Sequence, residues 1–273
     1  NSISGSFWQF LELPGRVKTI TAKNGSVSMT TGTGDITVGA DVTAEKNVTM
    51  TVGKGDITVG ADEGGNVTSK NGSVYMTVGE GDVSIVKTVK ALSENGNIDI
   101  LTTKGNIWIG SNGLDVDTVA AGNNVKLETQ NGTIEIYGKT STGKGDVTVR
   151  AASDTYDPNG ENIVFGQDGK LESGKDAYLI AKNGDLVVTD DVTAKGTFYA
   201  QTEVEGSITL GKDLTVQNSL SMKTDKGDIT IGYTVEAVQG DVAMQVADGK
   251  INIGKNIKAG RSEERRVGKE CRS

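Results

Sequence analysis

The sequence predicts an all-β protein, a parallel β-helix (β-solenoid) of nine or ten coils with about 22 residues and three short strands per coil. Three observations carry this. First, residues 175–259 are four near-copies of one pattern: KDAYLIAKNGDLVVTDDVTAK, GTFYAQTEVEGSITLGKDLTVQ, NSLSMKTDKGDITIGYTVEAVQ and GDVAMQVADGKINIGKNIKAG. Superposing their central turns puts Gly184, Gly206, Gly227 and Gly249 in one column, at steps of 22, 21 and 22 residues. A fixed period of this size marks stacked repeats. Second, each copy holds three alternating segments, such as Leu220-Ser221-Met222, Ile229-Thr230-Ile231 and Val235-Glu236-Ala237. Period-2 alternation bounded by Gly, Asn and Asp reads as a strand with one face in and one out. Third, the 273 residues include 38 Gly but only 2 Pro, with 4% aromatics. That composition suits many tight turns between strands and lacks the Gly-X-Y period of collagen.

Taken in order, residues 1–14 (NSISGSFWQFLELP) do not fit the repeat and carry Phe7, Trp8 and Phe10 close together. They are read as a divergent cap or a non-native segment. A single β-helix is expected over residues 15–260. The repeat becomes legible at Val17-Lys18-Thr19-Ile20-Thr21-Ala22, mirrored by Val86-Lys87-Thr88-Val89-Lys90-Ala91. Gly34, Gly55, Gly81, Gly105 and Gly132 continue the glycine column at looser steps of 21, 26, 24 and 27 residues. The extra residues are expected to bulge at turns, as in GADEGG (60–65) and GSNGL (110–114), whose Gly, Asp, Asn and Ser suit turn geometry. Residues 151–173 read as one long insertion, with a turn at Asp157-Pro158-Asn159-Gly160 and a short strand at Ile163-Val164-Phe165. Insertions of this kind are where solenoids commonly project functional loops.

Alternation also predicts the core. One inward row holds Val27 and Met29, Val48 and Met50, Val74 and Met76, Ile98 and Ile100, Val125 and Leu127, Leu220 and Met222, and Val242 and Met244. A second holds Ile36 and Val38 through Ile107 and Ile109 to Ile229 and Ile231, and a third runs through Val42, Val89, Val192, Leu214, Val235 and Ile257. No coil buries enough by itself to fold alone, so stability is shared between neighbours. At about 4.8 Å per coil, the rod would be roughly 45 Å long.

The terminal RSEERRVGKECRS (261–273) shares nothing with the repeat and resembles the read-through translation of a sequencing adapter, so it is read as non-native. It holds five of the 28 basic and three of the 36 acidic residues, so without it the net charge moves from −8 to −10. The only cysteine, Cys271, leaves with it, which removes disulfide and thiolate chemistry and suits passage through an oxidising compartment. An acidic surface disfavours nucleic acid and anionic membranes as partners. No apolar run approaches the roughly 18 residues of a membrane span, and no signal-peptide pattern opens the chain. The chain therefore reads as a soluble internal piece of something longer.

Histidine is absent, which removes the commonest general base and metal ligand. Carboxylates remain, and Asp154, Asp157 and Glu161 in the long insertion are the candidates for a glycosidase or polysaccharide lyase. They are equally well explained as solvated loop charges, so no catalytic, cofactor or metal site is assigned. Gly-Asp precedes a strand at Asp35, Asp56, Asp82, Asp146, Asp185 and Asp228. The spacing is wrong for a calcium-binding nonapeptide roll, so these read as turn side chains bonding local backbone N–H groups. Five Asn-x-Ser/Thr sequons begin at Asn24, Asn47, Asn66, Asn71 and Asn131. Three are Asn-Gly pairs at turns, and the turn explains them better than glycosylation. The ligand-binding candidates are outward aromatics: Tyr178 and Tyr199, which would stack if one extra residue precedes Gly206, and Trp108 between Ile107 and Ile109. Cross-strand stacking explains them as readily as sugar binding.

The repeats NGSVSMTTGTGDITVGADVTA and KGDITVGADEGGNVTSKNGSVYMTVGEGDVSI resemble the passenger regions of bacterial filamentous adhesins, of leukotoxin type and more distantly of filamentous-haemagglutinin type. The resemblance covers roughly residues 17–259. It implies a right-handed parallel β-helix, exported by a type V route with an outer-membrane secretion partner and displayed outside the cell or on its surface. It further implies a non-catalytic stalk, with a host glycan or protein engaged through the parent protein. The alternatives are a β-helix carbohydrate-active enzyme and a glycan-binding segment. Unpaired strands at both ends would favour end-to-end self-association.

Overall fold

The computed structural model of the protein describes residues 2–4, 12–13, 16–17, 19–60, 65–110, 118–154 and 160–260. Most of residues 1–14, the centres of the GADEGG and GSNGL bulges, Asp157 and residues 261–273 lie outside the described residues. All regular structure among the described residues is β. Three long sheets run the length of the molecule, and each coil adds one strand to each. The first sheet runs from Val27–Thr33 to Val242–Asp248, the second from Ile36–Val38 to Ile251–Ile253, and the third from Thr19–Ala22 to Ile257–Ala259. Every pairing along these spans is parallel, as between Val74–Glu80 and Ile98–Lys104, where Val74 faces Ile98 and Met76 faces Ile100. About ten coils of about 22 residues thus form a three-sheeted parallel β-solenoid, as the period predicts.

Two antiparallel pieces precede the regular coils. Ser2–Ser4 lies against the first strand of the first sheet, with Ile3 opposite Met29. Glu12–Leu13 pairs with Arg16–Val17.

The expected inward rows are the core. Met50, Ile57, Met76, Ile98, Ile107, Leu127 and Ile134 are fully buried, each packed on its equivalents one coil away. The third row is completed by Val67, Val119, Thr140 and Leu171, which the loose spacing had hidden. The last described coil departs from expectation. Val242 and Met244 are only partly buried, and Ile257 is exposed, because an inward side chain needs a coil on each side to be covered.

Residues 151–173 are less of an insertion than the sequence implied. Glu161–Phe165 is a rung of the second sheet, with Ile163 facing Ile134, and Leu171–Ser173 is a rung of the third. Within the strand Glu161–Phe165, the register against Asp185–Val188 shifts between Glu161 and Ile163.

The Gly-Asp motif has a non-local role. The Asp35 carboxylate accepts the backbone N–H of Asp56 at 2.9 Å, Asp56 that of Asp82 at 2.8 Å, and Asp82 that of Asn106 at 2.6 Å. Asn106 then accepts from Thr133, and beyond the irregular coil Asp185 accepts from Ser207 and Asp228 from Lys250. The partner is therefore the same corner one coil on. Asp146 belongs to a parallel ladder at the corner before the first sheet, in which Asn97, Asn124, Asp146 and Asp176 each accept from the next coil. Asn47 works in the same ladder and Asn66 at the third corner, so both of these sequon asparagines are structural. In each of these bonds the acceptor lies one coil before its donor, so the ladders share one direction. Glycine precedes the aspartate for a backbone reason. Gly81 has φ 137°, and a Cβ there would collide with the carbonyl oxygen of Gly55.

Candidate functional site

The first sheet carries the aromatic pair. Tyr178 and Tyr199 are direct register partners, and their rings are stacked with centroids 5.0 Å apart and planes 1° from parallel. The extra residue required before Gly206 is present. Phe198–Glu205 is one residue longer than Ala177–Asn183, and the register shifts between Ala181 and Asn183, so Asn183 pairs with Glu205. Such a bulge bends the strand and redirects side chains. Here Val204 is exposed, and Glu203 turns to Arg150 two coils back, with both guanidinium nitrogens meeting the carboxylate at 3.1 and 2.9 Å.

Around the pair, the Tyr178 hydroxyl donates to Asp176 at 3.4 Å. Desolvation, then the nearby Asp176 and Asp146 carboxylates, push the Tyr178 phenol above its usual pKa, so it stays protonated. Lys175 sits 3.5 Å from Asp146 and 3.8 Å from Asp176. Beyond Tyr199 the same outward row continues with Ser221 and Ala243.

Trp108 is not part of this group. It projects outward from the second sheet between Ser84 and Glu135, half-buried, with its ring 6.1 Å from that of Tyr137 and tilted by 57°. Tyr137 donates to Glu135 at 3.2 Å. Burial, followed by the charges of Glu135 and Glu161, raises its phenol pKa. Sequence reasoning did not single out Tyr137, because it lies at a corner where alternation gives no direction. Arg150 and Glu203 were missed too, since only the register shows that they meet.

Of the three candidate carboxylates, Asp154 is exposed and accepts from the Asn131 amide at 3.2 Å. Glu161 is exposed at the start of its strand, opposite Asp185. Asp157 lies outside the described residues. A buried charge occurs elsewhere: the Asp190 side chain, 4% exposed, accepts from Lys212 at 2.8 Å and from the backbone N–H of Asp191 and Asp168. It braces Asp168, a non-glycine residue with φ 69°. A shallow groove of about 290 Å³ on the third sheet is lined by Asp41, Thr43, Asn66, Thr68, Thr88 and Lys90. Its one carboxylate is engaged by the backbone and side-chain nitrogens of Asn66.

Fold and surface together define the class: a three-sheeted parallel β-solenoid whose outer face carries, among other aromatics, the Tyr178–Tyr199 and Trp108–Tyr137 pairs. No protein-family model, curated protein or solved structure matches the chain.

Proposed function

We propose that this chain is a stalk segment of a large secreted or surface-displayed bacterial adhesin, a non-catalytic spacer that holds a more distal part of the parent protein away from the cell. The observation that supports it is the continuous parallel pairing of the three sheets through about ten coils. A stack in which each coil contacts only its neighbours gains length by repetition and needs no closed globule. Polar outward side chains tie coil to coil, as where Glu80 lies 3.0 Å from Lys54 and 3.8 Å from Lys104. The corner carboxylates are engaged by backbone N–H groups, which suits a structural part. The extracellular or cell-surface setting, the outer-membrane secretion partner and a host glycan or protein as the parent's target rest on the resemblance to filamentous adhesins.

Two measurements test the reading. Electron microscopy is expected to show rods whose length falls by about 4.8 Å for each coil deleted in register. Incubation with a panel of neutral and acidic polysaccharides is expected to release neither reducing nor unsaturated ends. Release of either, abolished by Asp154→Asn or Glu161→Gln, would replace the stalk with a carbohydrate-active enzyme.

A further inference from the structure

We propose that the free face of Tyr199, above Ser221 and beside Ser219 and Lys223, is a subsite for a neutral hexopyranose unit of a glycan. A two-ring stack has two outer faces, and here they differ. On the Tyr178 side, the next residue in the row is the β-branched Thr148, flanked by the Lys175, Asp146 and Asp176 charges. On the Tyr199 side, the row steps down to Ser221 and then Ala243, and Tyr199 is 41% exposed. The tyrosine ladder therefore stops one rung short of where its spacing would place a third ring.

A pyranose chair presents an apolar CH face that can pack on an aromatic ring. Seated on Tyr199 at the 5.0 Å repeat of the stack, it would occupy the space that Ser221 leaves unfilled. Its rim hydroxyls would meet suitable partners. Ser219 Oγ accepts the backbone N–H of Asp241 at 3.2 Å, which leaves its O–H free to donate. Lys223, two residues along the same outward face, offers a donor and is held 3.3 Å from Asp225. An apolar platform ringed by a few polar groups is the usual anatomy of a small-ligand site. The surrounding Asp176, Asp225 and Asp241 and the net charge of −8 disfavour an anionic sugar. This inference is independent of the stalk reading, which concerns the rod and its lack of cleavage activity.

The test is saturation-transfer difference NMR on the full chain with cellopentaose and with β-1,4-linked galactopentaose. Transfer to the CH protons of one ring face is expected with at least one of them. It should weaken roughly tenfold or more in Tyr199→Ala, which removes the platform, and in Ser221→Arg, whose guanidinium covers the free ring face with a charge. Tyr75→Ala, elsewhere on the same sheet, should change nothing. Ser221→Arg changes an outward position, so its circular dichroism and melting temperature are expected to match those of the parent. The proposal is overturned by absence of transfer with both sugars, by transfer that survives Ser221→Arg, or by equal loss in Tyr75→Ala. A Tyr199-dependent dimer in sedimentation without sugar transfer would overturn it as well, in favour of a second copy on the same face.

Discussion

Arg150 and Glu203 meet fork to fork across an intervening coil, Nη1 donating to Oε1 at 3.1 Å and Nη2 to Oε2 at 2.9 Å. The pair spans three successive strands of the first sheet, and planar two-point geometry is what distinguishes arginine from lysine in such a role. Both side chains are about a third exposed, so solvent screening limits the energy. A double-mutant cycle with Arg150→Ala and Glu203→Ala is expected to give a coupling of about 0.5–1 kcal/mol at low salt, shrinking at high salt. Arg150→Lys should lose most of it. Zero coupling at low salt would mean that the strap contributes nothing.

The corner ladder separates hydrogen bonding from charge. Asp82 accepts the N–H of Asn106 at 2.6 Å, and Asp56 stands behind it in the same column. Asp82→Asn keeps an acceptor oxygen and is expected to be nearly neutral, whereas Asp82→Ala strands a backbone N–H and should cost about 1–2 kcal/mol in chemical denaturation. Calcium should not raise the melting temperature of the parent protein. A strong calcium-dependent rise that disappears in Asp82→Asn would restore the metal-ladder reading.

Thr140 occupies an inward position between Val119 and Leu171, fully buried, and its hydroxyl has no partner among the described residues. A buried hydroxyl without a hydrogen bond carries an uncompensated desolvation cost. Thr140→Val, with nearly the same shape, is therefore expected to stabilise the protein by about 1 kcal/mol. A measured loss of stability would show that the hydroxyl is satisfied in solution.

Asp190 gives the stability a pH dependence. Burial pushes its carboxyl pKa up, but the Lys212 ammonium and the N–H groups of Asp191 and Asp168 outweigh this and hold it below the usual carboxylate value. A carboxyl that binds protons less tightly when folded contributes stability above its unfolded pKa of about 4. That contribution is lost as pH falls through the lower folded value. Thermal melts should show Asp190→Asn less stable than the parent at neutral pH, with the gap closing below about pH 4. A gap that is constant across this range would assign the loss to packing.

Among the described residues, the strands Val242–Asp248, Ile251–Ile253 and Ile257–Ala259 are the last of their sheets, and Ile251 and Ile253 are 42% and 45% exposed. Unpaired strand edges beside apolar side chains template association, so the 273-residue chain is expected to self-associate through this face. Sedimentation velocity should show a concentration-dependent shift that Ile253→Lys reduces. A single monomeric species at high concentration would rule this out.

Much of the fold was legible from residues alone. Leu220-Ser221-Met222 and Ile229-Thr230-Ile231 alternate so regularly that their inward faces follow from spacing, and the buried residues agree. The candidate site was only partly legible. Tyr178 and Tyr199 were paired on the assumption of one extra residue, and the bulge supplies it. Trp108 was grouped with them as an outward aromatic, but it projects from a different sheet. Asp35, Asp56 and Asp82 were correctly read as structural, yet their bonds were expected to be local and in fact cross 21 to 26 residues.

The sequence by itself determined the period, the inward rows and the glycine column. Each depends on a residue and its near neighbours: alternation selects a face, and a turn with positive φ selects glycine. Only the tertiary structure decided how coils of unequal length line up, and so which side chains meet. The meeting of Tyr178 with Tyr199, the reach of Arg150 over a coil to Glu203, and the direction of the corner ladders are consequences of register. Register is fixed by the hydrogen bonds of the whole stack together, and an added residue is absorbed where it falls, as between Ala181 and Asn183, after which Leu186 again faces Ile208.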